Sequence, residues 1–225
     1  MVQRTLGVVM LDTRFPRLPG DIGCAGTFDF PVRHAVVHGA PPRRVVVERD
    51  RSLLEPFIAA ARWLEAEGCA AIVTSCGFLA LFQCEMVEAV EVPMWTSSLL
   101  LVAELDAALP AGRRAGIVTA DAASLTAAHL AAVGARVDTP IEGLAPDSAF
   151  QRTLLDNRPE LDTVEAQAAT VAAATRLAAL HPDLGAIVLE CTNMPPYADA
   201  VRAATRLPVH DITTLIAARF GALSR

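Results

Sequence analysis

The sequence predicts an α/β fold of two pseudo-symmetric lobes, each a four-stranded doubly wound parallel sheet, with an active-site cleft between them. Three observations carry this expectation. An apolar run ends in a cysteine and gives way to a helix twice, at Ala70 to Phe78 (AAIVTSCGF) and at Gly185 to Ala200 (GAIVLECTNMPPYADA). Laying Cys76 on Cys191 also lays Pro93 on Pro208, so that the strand-like VEVPMW falls on TRLPVH; upstream, GVVMLD (Gly7 to Asp12) echoes GIVTAD (Gly116 to Asp121). Short apolar runs also alternate with helical stretches of roughly 10 to 15 residues, the pattern of right-handed crossovers between parallel strands. The repeat is far longer than that of a solenoid or propeller, so it reads as one lobe duplicated.

Taken in order, the first strand, Gly7 to Leu11, ends at Asp12 and opens into TRFPRLPGDIGCAGTFDFPVR, a Pro- and Gly-rich stretch of the kind that lines sites. Pro31 to Gly39 reads as a short helix and Arg43 to Val47 as a strand. Leu53 to Glu67 has helical periodicity, closed by Gly68. The third strand delivers Cys76 and the helical run Leu79 to Ala89, and Val90 to Trp95 forms the fourth strand before a helix from Ser97 to Leu109. The second lobe repeats this: strand Ala115 to Thr119, helix Ser124 to Val133, strand Ala135 to Asp138, a long loop from Thr139 to Glu160, helix Leu161 to Leu180, and the strand ending at Cys191. A helix to Arg206, a last strand and a terminal helix, Ile212 to Leu223, follow. The expected division is 1–97 plus 208–225 for lobe one and 98–207 for lobe two.

At 225 residues and 53% hydrophobic, the chain can bury a sizeable core. A net charge of -6 with 19 scattered Lys and Arg residues leaves no footprint for nucleic acid or for a membrane surface, and points to a small-molecule partner. No run approaches the roughly 18 apolar residues that span a bilayer, and the start of the sequence is too briefly apolar for a signal peptide, so a cytoplasmic location is expected. Five cysteines is an odd count without export signals, which suggests reduced thiols. A homo-oligomer is left open.

In doubly wound sheets ligands bind outside the carboxyl ends of the strands, where Asp12, Cys76, Thr119, Asp121 and Cys191 all stand. A thiol at a helix N-terminus is expected to have a lowered pKa, because unpaired backbone N–H groups and the helix dipole favour the thiolate. Two such thiols facing one carbon can remove a proton on one side and return it on the other, inverting the centre without any cofactor. The carbanion needs oriented donors, for which the backbone after each cysteine (Gly77 and Phe78, Thr192 and Asn193) and the Thr119 hydroxyl are candidates.

These paired strand-cysteine segments resemble the cofactor-independent aspartate/glutamate/hydantoin racemase superfamily, over essentially the whole chain. The resemblance implies a racemase or epimerase of an amino acid, related carboxylate or hydantoin, with Cys76 and Cys191 as acid and base. It also implies Thr192 as a contact to the substrate carboxylate, and Asp12 with Thr13 in place of the family's Asp-Ser pair. Cys76-Gly77-Phe78 departs from the usual Cys-Asn-Thr, and Cys191-Thr192-Asn193 from Cys-Thr-His. Related branches isomerise maleate through a covalent cysteine adduct or decarboxylate arylmalonates with a single cysteine; keeping both cysteines argues against the decarboxylase. A non-catalytic two-lobed binding protein is the rival from another class. A redox pair is disfavoured because Cys-x-x-Cys is absent.

The other cysteines are read as structural: Cys69 opens a strand, Cys84 is mid-helix and expected to be buried, and Cys24 lies in the long loop. Asp121 reads as a turn or cap residue. His34 and His38 have helical spacing but no acidic third ligand, so no metal site is expected. Arg14, Arg17, Arg49 and Arg51 are each read either as the counter-charge to a carboxylate or as solvated.

Overall fold

A computed structural model describes residues 4–223 and contains two four-stranded parallel sheets. The outermost ends of the expected first lobe, 1–3 and 224–225, lie outside the described residues. The first half of the chain runs β1 (Leu6–Leu11), β2 (Val32–Val37), α1 (Pro42–Val46), α2 (Leu54–Ala66), β3 (Ala71–Thr74), α3 (Gln83–Glu88), β4 (Met94–Trp95) and α4 (Leu100–Ala108). The second half runs β5 (Arg114–Thr119), α5 (Ala127–Ala132), β6 (Ile141–Gly143), α6 (Ala149–Leu155), α7 (Thr163–Leu180), β7 (Leu184–Leu189), α8 (Ala198–Thr205), β8 (Val209–His210) and α9 (Ile212–Ala222). The sheet orders are β2-β1-β3-β4 and β6-β5-β7-β8, the same topology twice.

The strands are apolar because both faces of each sheet are covered. Along β1, Leu6, Val8 and Met10 enter one core cluster while Val9 and Leu11 enter another, the period of two that a strand imposes. Val9 and Leu11 meet Phe57, Ala61 and Leu64 of α2. Leu6, Val8 and Met10 meet Ile212, Leu215, Ile216 and Phe220 of α9, so the terminal helix returns to lobe one. Lobe two repeats the arrangement with Val118, Ile187 and Leu189 under Ala166, Ala173, Ala174 and Leu177 of α7. Its other face, Ala115, Ile117 and Val188, shares a cluster with Val102 of α4 and with lobe-one residues. The last helix of each half therefore lies against the sheet of the other half.

Four sequence expectations shift. The helix expected at Pro31 to Gly39 is strand β2, paired with β1 from Leu6↔Val32 to Leu11↔Val37, and the strand expected at Arg43 to Val47 is helix α1. The edge strand is only half-buried, which blurs its apolar signature, while Pro42 at the first turn presets helical φ. In lobe two, Ala135 to Asp138 forms no strand; β6 lies later, inside the stretch read as a loop, which also holds α6. The final strand, β8, pairs with β7 in the second sheet, so the chain leaves that sheet after His210 and not at 207. Among the described residues no helix is long and apolar enough to cross a membrane.

Candidate active site

Because β1 sends the chain to β2 on one side and β3 lies on the other, strand order reverses at β1 and β3, and likewise at β5 and β7. Cys76 follows β3 and caps a 3-10 turn at Gly77–Phe82; Cys191 follows β7 and precedes another at Pro195–Tyr197. Both sulfur-bearing residues line one pocket. Thr192 ties the two walls together: its hydroxyl donates to the Ser75 carbonyl at 2.7 Å. From the Ser75 side, Oγ accepts the Leu11 N–H at 3.0 Å, which fixes the segment before Cys76.

One side of the pocket is apolar, with Leu11, Phe15, Val46, Phe78 and Leu154 on its wall; Phe78 is held edge-on to His129 at 5.3 Å. The polar side is built from the long loop after β1. Arg17 donates to Thr13 Oγ1 at 2.7 Å and to Asp21 Oδ1 at 3.1 Å. Asp21, buried, also accepts the Gly23 N–H at 2.7 Å and a hydrogen bond from the Asn193 amide, and Asn193 Oδ1 lies 3.7 Å from the Cys191 sulfur. Of the four arginines singled out in the sequence, Arg17 lines the pocket; Arg51 pairs with Glu85 at an exposed position.

The thiols are not acidic in this structure, contrary to the expectation from their position. Cys76 is pushed up to about 12, first by burial and then by the charge of Glu190; Cys191 is raised well above the ordinary thiol value by the same two causes in the same order. The backbone N–H groups of Phe78 and Leu79 at Cys76, and of Asn193 at Cys191, do pull the other way. Desolvation of a buried thiolate outweighs those few dipoles.

Glu190, immediately before Cys191, is 1% exposed and lines the pocket. Its Oε2 accepts from Thr119 Oγ1 at 2.6 Å, while Oε1 finds no hydrogen-bond partner among the described residues. Burial raises its carboxyl to about 7, with the Thr119 hydrogen bond opposing. This carboxyl explains the unusual Cys-Gly-Phe. A Cβ at position 77 would come within 2.5 Å of the Glu190 carbonyl oxygen and closer still to Oε1, so only glycine fits.

Thr13, Gly77, Phe78, Thr192 and Asn193 line the pocket together with both cysteines. Thr119 stands behind Glu190 and outside the lining. Asp12 also lies outside it: its carboxylate accepts the Gly39 N–H at 3.0 Å, and its side chain is 43% exposed. Asp121 accepts from the Ala123 N–H and the Ser124 hydroxyl, as a turn cap does. Cys69 is buried as expected, whereas Cys84 is exposed, because α3 turns that position away from the core. Glu190 and Asp21 escape sequence reading, Glu190 because it directly follows an apolar run and Asp21 because it sits in an irregular loop. A lone carboxylate directly before the strand-ending cysteine was the available signal.

No known family profile matches the chain. It is 34% identical over 215 residues to a dimethylsulfoniopropionate lyase of Durusdinium sp. clade D, covering 92% of this chain and 71% of that protein. It is 33% identical over 219 residues to dimethylsulfoniopropionate lyase 7 of Emiliania huxleyi (strain CCMP1516), covering 93% of this chain but 64% of that protein, so it spans less than two thirds of that longer relative. Among solved structures, unliganded arylmalonate decarboxylase superposes with a TM-score of 0.60 at 20% identity, covering 92% of this chain and 86% of that one. A glutamate racemase of Bacillus anthracis superposes with a TM-score of 0.60 at 14% identity, covering 98% and 81%. Both likenesses establish the fold.

Proposed function

The chain belongs to the family of the dimethylsulfoniopropionate lyases, within the aspartate/glutamate racemase superfamily, and from that premise we propose that it is a cofactor-independent lyase acting on a small carboxylate with a β-onium leaving group. Dimethylsulfoniopropionate is the candidate substrate. The observation that carries this reading is a pocket in which two thiols meet an otherwise apolar, aromatic wall with the Arg17 guanidinium at its polar side. Arg17 with Thr13 suits a carboxylate, and Phe15 and Phe78 offer ring faces to a sulfonium. Gly77 where racemases of this group carry a polar residue removes a contact that an amino-acid head group would use.

The chemistry is an elimination. A cysteine thiolate removes a proton from the carbon next to the carboxylate, the carbanion electrons form the new carbon–carbon double bond, and the carbon–sulfur bond breaks. Dimethyl sulfide leaves as a neutral molecule, acrylate remains, and the proton stays on the thiol. Arg17 holds the carboxylate as negative charge spreads onto it, which is where electrostatic stabilisation matters most.

A second reading, inversion of a small carboxylate by two bases, is favoured by one observation: the thiols stand at equivalent points of the two lobes, although elimination needs only one of them. Two measurements separate the readings. With dimethylsulfoniopropionate, headspace dimethyl sulfide and equimolar acrylate are expected; their absence overturns the lyase reading. With enantiopure 2-substituted carboxylates in heavy water, inversion would place deuterium in the product enantiomer while remaining substrate stays unlabelled.

A further inference from the structure

We propose that Glu190 is a third proton-carrying group of this site, exchanging a proton with the neighbouring cysteine thiol through its unpartnered Oε1. The inference deepens the reading above for the same pocket and rests on it only for the substrate. Three independent features of the geometry point the same way. The carboxyl is buried and lines the pocket, yet one oxygen has no donor among the described residues, which is costly unless that oxygen has a use. Its other oxygen is fixed by Thr119 at 2.6 Å, so the group is oriented. The position facing it is a glycine that no larger residue could replace, so room has been kept for the carboxyl against the backbone of Cys76-Gly77.

The groups that face Glu190 are few. Cys76 comes from the end of β3 and Cys191 is its chain neighbour after β7, and both thiols feel its charge; β5 contributes the uncharged Thr119, while from the loop after β1 Arg17 acts on Cys76 and Asp21 on Cys191. Arg17 and Asp21 are already bonded to each other. The balance is a proton transfer alone: thiol plus carboxylate gives thiolate plus carboxylic acid, with total charge unchanged. The thiolate then takes the substrate proton, elimination follows, and the proton parked on Glu190 is lost to water. Burial that makes a bare thiolate costly beside a carboxylate is thereby sidestepped, because the pair never carries two negative charges.

The test needs no substrate. Alkylation by iodoacetamide, mapped by mass spectrometry, should rise with pH for the partly exposed Cys191 until about 7, where Glu190 loses its own proton, and then flatten, because above that point one proton is shared within the pair. In Glu190→Gln the inflection should vanish and labelling should climb by about tenfold per pH unit throughout the alkaline limb. Thr119→Val should move the inflection upward, since it removes the bond that favours the carboxylate. Buried Cys69 staying unlabelled certifies that each variant is folded, and exposed Cys84 gives the uncoupled profile. A wild-type profile with no inflection, or one unchanged in Glu190→Gln, overturns the proposal. An intact inflection in a protein that releases no dimethyl sulfide overturns the substrate reading and leaves this one standing.

Discussion

The two lobes share a sheet order, and their cysteines follow corresponding strands, but the surroundings of those cysteines have diverged. Around Cys76 the neighbours are small or apolar: Ser75, Gly77 and Phe78. Around Cys191 they are polar and tethered, with Glu190 held by Thr119, Thr192 bonded to Ser75, and Asn193 bonded to Asp21. Backbone topology fixes where a thiol stands, whereas the residues beside it fix what that thiol can do. On the function proposed above, lobe one would supply shape and lobe two proton handling.

The largest effect should come from the cysteines themselves. If labour is divided in this way, Cys191→Ala should lower kcat/KM for elimination by about 10³-fold, the scale of a lost general base, and Cys76→Ala by appreciably less. Equal losses would restore equivalence between the lobes and favour two-base inversion. Gly77→Ala should follow, destabilising the fold by about 1–3 kcal/mol through overpacking against Glu190 and lowering the melting temperature. Thr192→Ala, at the corresponding place in lobe two, should cost about 1 kcal/mol for one lost hydrogen bond.

Glu190 also gives a pH dependence. Its carboxyl is raised in the folded state from 4.5 to about 7, so the folded chain binds more protons than the unfolded one in that window. Stability is therefore lost as pH rises from 4.5 through about 7, by about 3 kcal/mol from this group, and Glu190→Gln should flatten that component of denaturant midpoints measured against pH. The smallest effect should be that of Asp12→Asn. Because its carboxylate faces Gly39 and solvent, turnover should change by less than about twofold, in line with a lost surface hydrogen bond. A large loss of turnover would bring Asp12 back into the chemistry.

Most of the fold was legible because buried parallel strands are short apolar runs whose ends are marked by Asp12, Cys76, Thr119 and Cys191. The exceptions are physical. Strand β2 lies at an edge, half-exposed, so its composition resembles that of a surface helix, and β6 is only three residues long. The two cysteines were legible through duplication, which no single motif would have supplied. The direction of their pKa shifts was not, because burial depth decides it and sequence position reveals only the dipole. Glu190 was hidden by adjacency, passing as the tail of an apolar run until the structure closed Gly77 over it.

The crossing of α4 and α9 has a consequence of its own. Neither half holds the second cover of its own sheet: Leu6, Val8 and Met10 need α9 from the far end of the chain, and Ala115, Ile117 and Val188 pack with α4 from before the midpoint. Such mutual exchange is the geometry of a domain-swapped dimer, here written into a single polypeptide. Two fragments cut at the Pro110-Ala111-Gly112 turn would each present a bare apolar sheet face and the helix made to cover its counterpart. Mixed together, they should recover a folded molecule by complementation, and neither should fold alone.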